Sequence, residues 1–248
     1  MPRYKLTIEY DGLPFHGWQR QEDAVPSVQG TIEQAIYQFC QERVTLEGAG
    51  RTDAGVHATG QVAHVDLTKV YTAFRLQEAL NFYLRESGVA IVQVAEVGPD
   101  FHARFSATAR IYHYKIINRR AHTPLLAQRA WHIIRPLDIQ AMKLAAQAFV
   151  GHHDFSSFRS SQCQASSAKR TLDDFTIAQE GDMIIARIQS RSFLHNQVRI
   201  MMGTLQQVGH GKGTINDIKQ ALLGRDRTFA GPTAPAYGLY LTEVQYIE

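Results

Sequence analysis

Tyr4-Lys5-Leu6-Thr7-Ile8-Glu9-Tyr10 alternates apolar and polar residues without a break, the pattern of a strand buried on one face, and Asp11-Gly12 ends it. Outward from this run, Ser27 stands where a helix cap belongs, ahead of a stripe of Val28, Ile32, Ile36 and Phe39 at helical spacing. Short strands are expected at 44–48 and 61–66, with a glycine-rich loop between them. A helix over 71–86 would turn Phe74, Leu76, Leu80 and either Tyr83 or Leu84 inward, and 89–97 is a strongly β-prone run. The first part of the chain therefore reads β-α-β-β-α-β.

Past Gly98-Pro99-Asp100 the order nearly repeats. An alternating strand occupies 110–118 and a short one 131–135; Asp138 can cap a helix carrying Met142, Ala145, Ala146 and Phe149, closed by Gly151. A hairpin spans 171–178 and 183–191 around Glu180-Gly181-Asp182, followed by helices over 194–208 and 215–223 and a last strand at 238–246. The second part is thus one strand and then another β-α-β-β-α-β. The expected fold class is α+β: two ferredoxin-like, RRM-like halves, residues 1–99 and 100–248. They would share a broad mixed, largely antiparallel sheet with helices behind it. The polar segments 19–26 and 155–169 read as long loops, which in compact chains are often functional.

Composition narrows the classes. In 248 residues, 44% are hydrophobic and 20% charged, as in ordinary globular proteins. No run of about 18 apolar residues is present, so no membrane-spanning helix is expected. The opening residues lack the apolar core of a signal peptide. Cys40 and Cys163 stand far apart with no CxxC spacing, which suits a reducing cytoplasm and disfavours a disulfide framework or a structural zinc site. A net charge of +3 is a mild pointer to an anionic partner. Its placement says more: Arg104, Arg110, Arg119 and Arg120 interleave with Phe101, Phe105, Tyr112 and Tyr114, cations for phosphates and rings for bases. A solvated strand with core aromatics has the same composition.

The chemistry concentrates in Gly48-Ala49-Gly50-Arg51-Thr52-Asp53-Ala54-Gly55-Val56-His57-Ala58. Its glycines allow tight turns and close approach of a ligand to the backbone. Asp53 follows Arg51 by two residues, and a nearby cation keeps a carboxylate ionised, as a nucleophile requires. A loop aspartate can equally cap a turn. Dinucleotide binding is disfavoured, since Asp53 stands where the third glycine of GxGxxG belongs. Gly209-His210-Gly211-Lys212-Gly213-Thr214 fails as a phosphate loop because Gly213 follows the lysine. His152-His153-Asp154 lacks a second ligand pair and reads as loop rather than metal site. No metal and no cofactor are expected.

Gly50-Arg51-Thr52-Asp53-Ala54-Gly55-Val56-His57-Ala58 resembles the signature of the tRNA pseudouridine synthase A family. The resemblance extends, in family order, through Tyr10-Asp11-Gly12 with Phe15, Gly17-Trp18-Gln19-Arg20-Gln21, Phe101-His102-Ala103-Arg104-Phe105-Ser106-Ala107 and Tyr112-His113-Tyr114. It continues in Phe155-Ser156-Ser157-Phe158, Phe193-Leu194-His195-Asn196-Gln197-Val198-Arg199 and Gly238-Leu239-Tyr240-Leu241. Where the family often has a proline, near Arg85, this chain has none, and a slightly different turn is expected there.

The resemblance implies isomerisation of uridine to pseudouridine at positions 38, 39 and 40 of the tRNA anticodon arm, without cofactor or metal. It makes Asp53 the nucleophile, on either the base or the ribose. It has Arg199 pair with Asp53, Tyr112 pack on the target base and assist proton removal from C5, Arg51 help displace the flipped nucleotide, and Leu239 line an apolar wall. It also implies a homodimer in which one tRNA contacts both chains. Two other classes remain: a non-catalytic RNA-binding module with two RRM-like halves, which replacing Asp53 would leave intact, and a nicotinamide-linked enzyme, which would bind that cofactor.

Overall fold

A computed structural model describes residues 1–21 and 25–247. The elements of the amino-terminal part are β1 (Arg3–Tyr10), α1 (Val28–Cys40), β2 (Glu47–Gly48), β3 (His57–Asp66), α2 (Ala73–Leu84) and β4 (Val89–Val97). Next come β5 (Ala107–Asn118), β6 (Trp131–Ile133), α3 (Ile139–Ala146), β7 (Gly151–Asp154), β8 (Lys169–Glu180) and β9 (Met183–Ser190). The chain ends with α4 (Gln197–Gly209), α5 (Ile215–Gly224) and β10 (Leu239–Tyr246). The protein is α+β, with mixed strand pairing and several helices. Its residues group into two compact units, Met1–Thr108 with the last strand, and Ala109–Leu239. The sequence pattern had suggested a division at 99/100.

In the first unit β1 is central, antiparallel to both β3 and β4. Its alternation buries Tyr4, Leu6, Ile8 and Tyr10 on one face. β2 pairs with one part of β3, and β10 runs parallel to its start, with Tyr240 opposite His57 and Leu241 opposite Ala58. The Ser27 side chain caps α1 by accepting from the Gly30 N–H, and Thr72 caps α2 by accepting from Arg75. Val28, Ile32 and Ile36 of α1 and Leu76, Leu80 and Leu84 of α2 are all buried. Each such side chain contributes roughly 1.5–3 kcal/mol. The two helices pack on each other, and α2 packs on β4.

In the second unit β5 pairs antiparallel with β9, β9 forms a hairpin with β8, and β8 pairs with β7. β6 lies parallel to the end of β5. Phe149, Phe155, Phe158 and Phe175 are fully buried and stack in an aromatic cluster, with centroids 5.0 Å apart for Phe149 and Phe158.

Several expectations need correction. Phe74 is exposed, because on a helix of 3.6 residues per turn it lies nearly opposite the stripe of Leu76, Leu80 and Leu84. Leu84, not Tyr83, is the inward residue at the end of α2. The first residues of the segment 155–169 are core: Phe155, Ser157 and Phe158 are buried, and the Ser157 hydroxyl donates to the Ala221 carbonyl. His152 and His153 lie in strand β7 rather than a loop. That strand has no apolar alternation to betray it and forms purely by backbone pairing with β8. The expected short strand at 131–135 is β6, which ends at Ile133. Of the polar segment 19–26, residues 22–24 lie outside the described residues.

Candidate active site

The loop between β2 and β3 carries Arg51, Thr52 and Asp53, and Thr52 is its anchor. Its side chain is buried and its Oγ1 lies 2.7 Å from the Tyr10 hydroxyl at the end of β1. Burial pushes the Tyr10 hydroxyl well above its ordinary value, against the opposing effect of hydrogen bonds with Thr52 and Gln61, so the phenol stays neutral. The Thr52 carbonyl accepts from the Trp18 N–H at 3.1 Å, and the Gly50 carbonyl accepts from Gln61 Nε2 at 2.8 Å. Asp53 opens a turn closed by the Val56 N–H donating to its carbonyl at 3.1 Å, with Gly55 at φ +77°. That left-handed conformation suits glycine. Gly17 is required for a second reason: at φ +99°, a Cβ there would lie 2.6 Å from the Thr52 carbonyl oxygen.

The result is a loop clamped at Gly50, Thr52 and Val56, with Asp53 half-buried and Arg51 exposed between the clamps. Just beyond it, His57 Nδ1 accepts from the Gly12 N–H at 3.1 Å, and its ring stacks on Tyr240 at 4.7 Å. The segments Tyr10–Gly12 and Gly17–Trp18, distant in sequence from Asp53, thus support the loop directly.

Tyr112, Arg199 and Leu239 belong to the second unit. Tyr112 sits in β5 opposite Ile188 of β9, is buried, and meets Phe193 edge-on at 5.2 Å. Arg199 is in the first turn of α4. Its Nη1 donates to Asn196 Oδ1 at 2.7 Å and its Nε to the Ala234 carbonyl at 2.9 Å, while the Ala234 N–H returns a bond to the Arg199 carbonyl. The segment 231–235 can lie this close to α4 because position 203 is glycine: a Cβ there would fall 1.8 Å from the Pro232 oxygen. Tyr114 holds the same segment, its hydroxyl donating to the Pro235 carbonyl at 2.8 Å. Burial keeps that phenol protonated, although the Arg199 charge opposes the shift. Leu239 follows directly and is buried.

The basic residues divide. Arg104 and Arg120 are exposed. Arg110 is buried and donates to the Arg191 carbonyl, so it is a structural residue rather than a surface cation. Arg119 braces its own turn through the Ala121 and His122 carbonyls. Sequence reasoning gave no role to Thr52, Trp18 or Asn196. For Asn196 the available signal was its place three residues before Arg199 at a helix start. Among the described residues no group of three or more His, Cys, Asp or Glu side chains is arranged to hold a metal ion. No helix among them is long and apolar enough to cross a membrane.

A family model described as tRNA pseudouridine synthase matches residues 6–106 and 145–247, most of the chain, including Arg51, Asp53, Arg199 and Leu239 but not Tyr112. The chain belongs to the tRNA pseudouridine synthase family. Among its curated relatives, tRNA pseudouridine synthase A of Rhodospirillum centenum is 56% identical over 246 residues, covering 99% of this chain and 100% of that one. The proteins of the same name from Paramagnetospirillum magneticum and Rhizobium meliloti are each 53% identical, covering 99% of this chain and 96% and 100% of theirs.

Proposed function

We propose that this chain converts uridine to pseudouridine at positions 38, 39 and 40 of the tRNA anticodon arm, with Asp53 as nucleophile. Family membership makes it an isomerase acting on tRNA. The observation that carries the finer reading is the loop itself. A carboxylate two residues from an arginine is held on a turn whose flanks are tied to three separate strands and segments, through Tyr10, Trp18 and Gln61. A turn cap needs no such support, whereas a nucleophile must be held in a productive geometry.

In the reaction the C1′–N1 bond of uridine breaks, a C1′–C5 bond forms, the C5 proton leaves and N1 gains one. No electrons are transferred. Tyr112 packs on the base and assists removal of the C5 proton, Arg51 handles the displaced nucleotide, Arg199 supplies the cation that keeps the carboxylate ionised, and Leu239 excludes water. Stacking on an aromatic returns about 1–3 kcal/mol per base, a large part of the few kcal/mol that extrusion from the stem costs. The order β1-α1-β2-β3-α2-β4, with β1 between β3 and β4, supports reading the first unit as a ferredoxin-like half. We read the working form as a cytoplasmic homodimer, on family resemblance.

The test is tritium release from tRNA labelled at uracil C5, with wild-type protein and with Asp53→Asn. Release by the wild type and none by the variant is expected. Equal release by both would remove Asp53 from its role, and no release by the wild type would remove the reaction.

A further inference from the structure

The second unit contains a recess of about 420 Å³ that the reaction as described does not use. Arg159, Ser160, Asn196, Arg227 and Thr233 line it, with Ile200 among its apolar lining. Two arginines are among its lining residues and no aspartate or glutamate is. Arg227 is held in place, donating to the Ala230 carbonyl at 3.1 Å and to Thr233 Oγ1 at 3.4 Å. Arg159 is half-buried, and no hydrogen bond or ion pair engages it among the described residues. Asp154 is not part of the lining; it accepts from the Ser156 N–H and hydroxyl and faces Arg225. One held and one uncommitted guanidinium, hydroxyls and an amide around one polar concavity are the chemistry that recognises a phosphate group.

We propose that this recess binds a backbone phosphate of the substrate RNA, a reading that rests on the proposed function above. Asn196 ties the recess to Arg199. Its Oδ1 holds the Arg199 guanidinium, and its amide nitrogen, a donor only, is left to face the phosphate. Occupation of the recess therefore fixes the side chain that positions Arg199, so that a correctly seated RNA backbone and a correctly oriented arginine go together.

The test compares tRNA affinity at about 50 and about 200 mM salt for wild type, Arg159→Gln and Arg159→Lys. One lost phosphate contact lowers the log–log salt slope by about 0.7–0.9, so Arg159→Gln should lose roughly threefold less affinity across that interval than wild type does. Arg159→Lys keeps the charge and should restore the slope, which a merely structural role would not produce. A wild-type slope in Arg159→Gln overturns the proposal and leaves the proposed function standing. Saturation of the recess by inorganic phosphate alone at low millimolar concentration, with the tRNA slope unmoved in Arg159→Gln, would make it a small-anion site and overturn RNA as the source. A wild type that binds no tRNA would fail the underlying reading instead, and that shows before any variant is compared.

Discussion

Thr52→Val keeps the shape of a buried side chain and removes its hydroxyl, and so tests whether the Asp53 loop is clamped as described. Thr52 Oγ1 lies 2.7 Å from the Tyr10 hydroxyl, inside the first unit. Without it the Tyr10 hydroxyl keeps only its interaction with Gln61. A neutral hydrogen bond contributes about 0.5–1.5 kcal/mol net, and a fully orphaned buried polar group costs about 1–3 kcal/mol. With Gln61 still in reach, the expected loss is about 1–2 kcal/mol. For a chain of this size that lowers the melting temperature by about 2–8 °C. Catalysis should suffer more than stability, because displacement of a reacting group by about 1 Å can cost on the order of a hundredfold. We expect single-turnover isomerisation to fall about tenfold or more, with tRNA affinity nearly unchanged. The decisive assay is a double-mutant cycle with Tyr10→Phe, read by urea denaturation. Removing both hydroxyls should cost less than the sum of the single losses, by about 0.5 kcal/mol or more. Additive losses, or a Thr52→Val enzyme with normal stability and turnover, would refute the clamp.

Asp53→Asn should abolish isomerisation while tRNA binding survives within about tenfold, or about 1.4 kcal/mol; substantial turnover in the purified variant would count against it. Arg199→Ala should cut turnover sharply while leaving the salt slope of tRNA binding nearly intact, whereas Arg104→Ala should flatten the slope. Normal turnover with a reduced slope in Arg199→Ala would return that residue to the electrostatic surface. His64 gives a pH prediction. Burial first, then the charges of Arg3 and His102, hold its ring below the ordinary value of 6.5, and its Nδ1 accepts from the Ala103 N–H. The unfolded chain therefore binds a proton that the folded chain resists, so this contribution is fully present above about pH 6.5 and is lost as pH falls toward the folded value. Denaturation midpoints measured from pH 7 to 5 should fall less steeply for His64→Gln than for wild type.

Most of the element types could be read from the chain because their signals are local. The period-2 run of β1, the stripe of α1 and the caps Ser27 and Asp138 act within a few residues of themselves. The reading failed where the local signal was silent or contradicted itself. β7 has no apolar alternation and exists because β8 offers it a partner. Phe74 was counted with a stripe that helical geometry puts on the other side. Phe155 and Phe158 sit in a segment whose remaining residues look like loop, and only the packing of Phe158 against Phe149 and of Phe155 against Phe158 shows them to be core.

The site divides in the same way. From the residues alone came the candidate loop, its arginine and aspartate, and the glycines it needs, since these are properties of a short contiguous motif. The supports came only from the tertiary structure: Thr52 against Tyr10 and Trp18, Arg199 held by Asn196 and Ala234, Arg110 turned inward while Arg104 stays outside. Periodicity and turn chemistry are written in neighbouring side chains, so a sequence declares them. Which distant carbonyl or hydroxyl meets a given side chain depends on strand pairing and on close approaches, such as those at Gly17 and Gly203, and these exist only once separate segments have packed together.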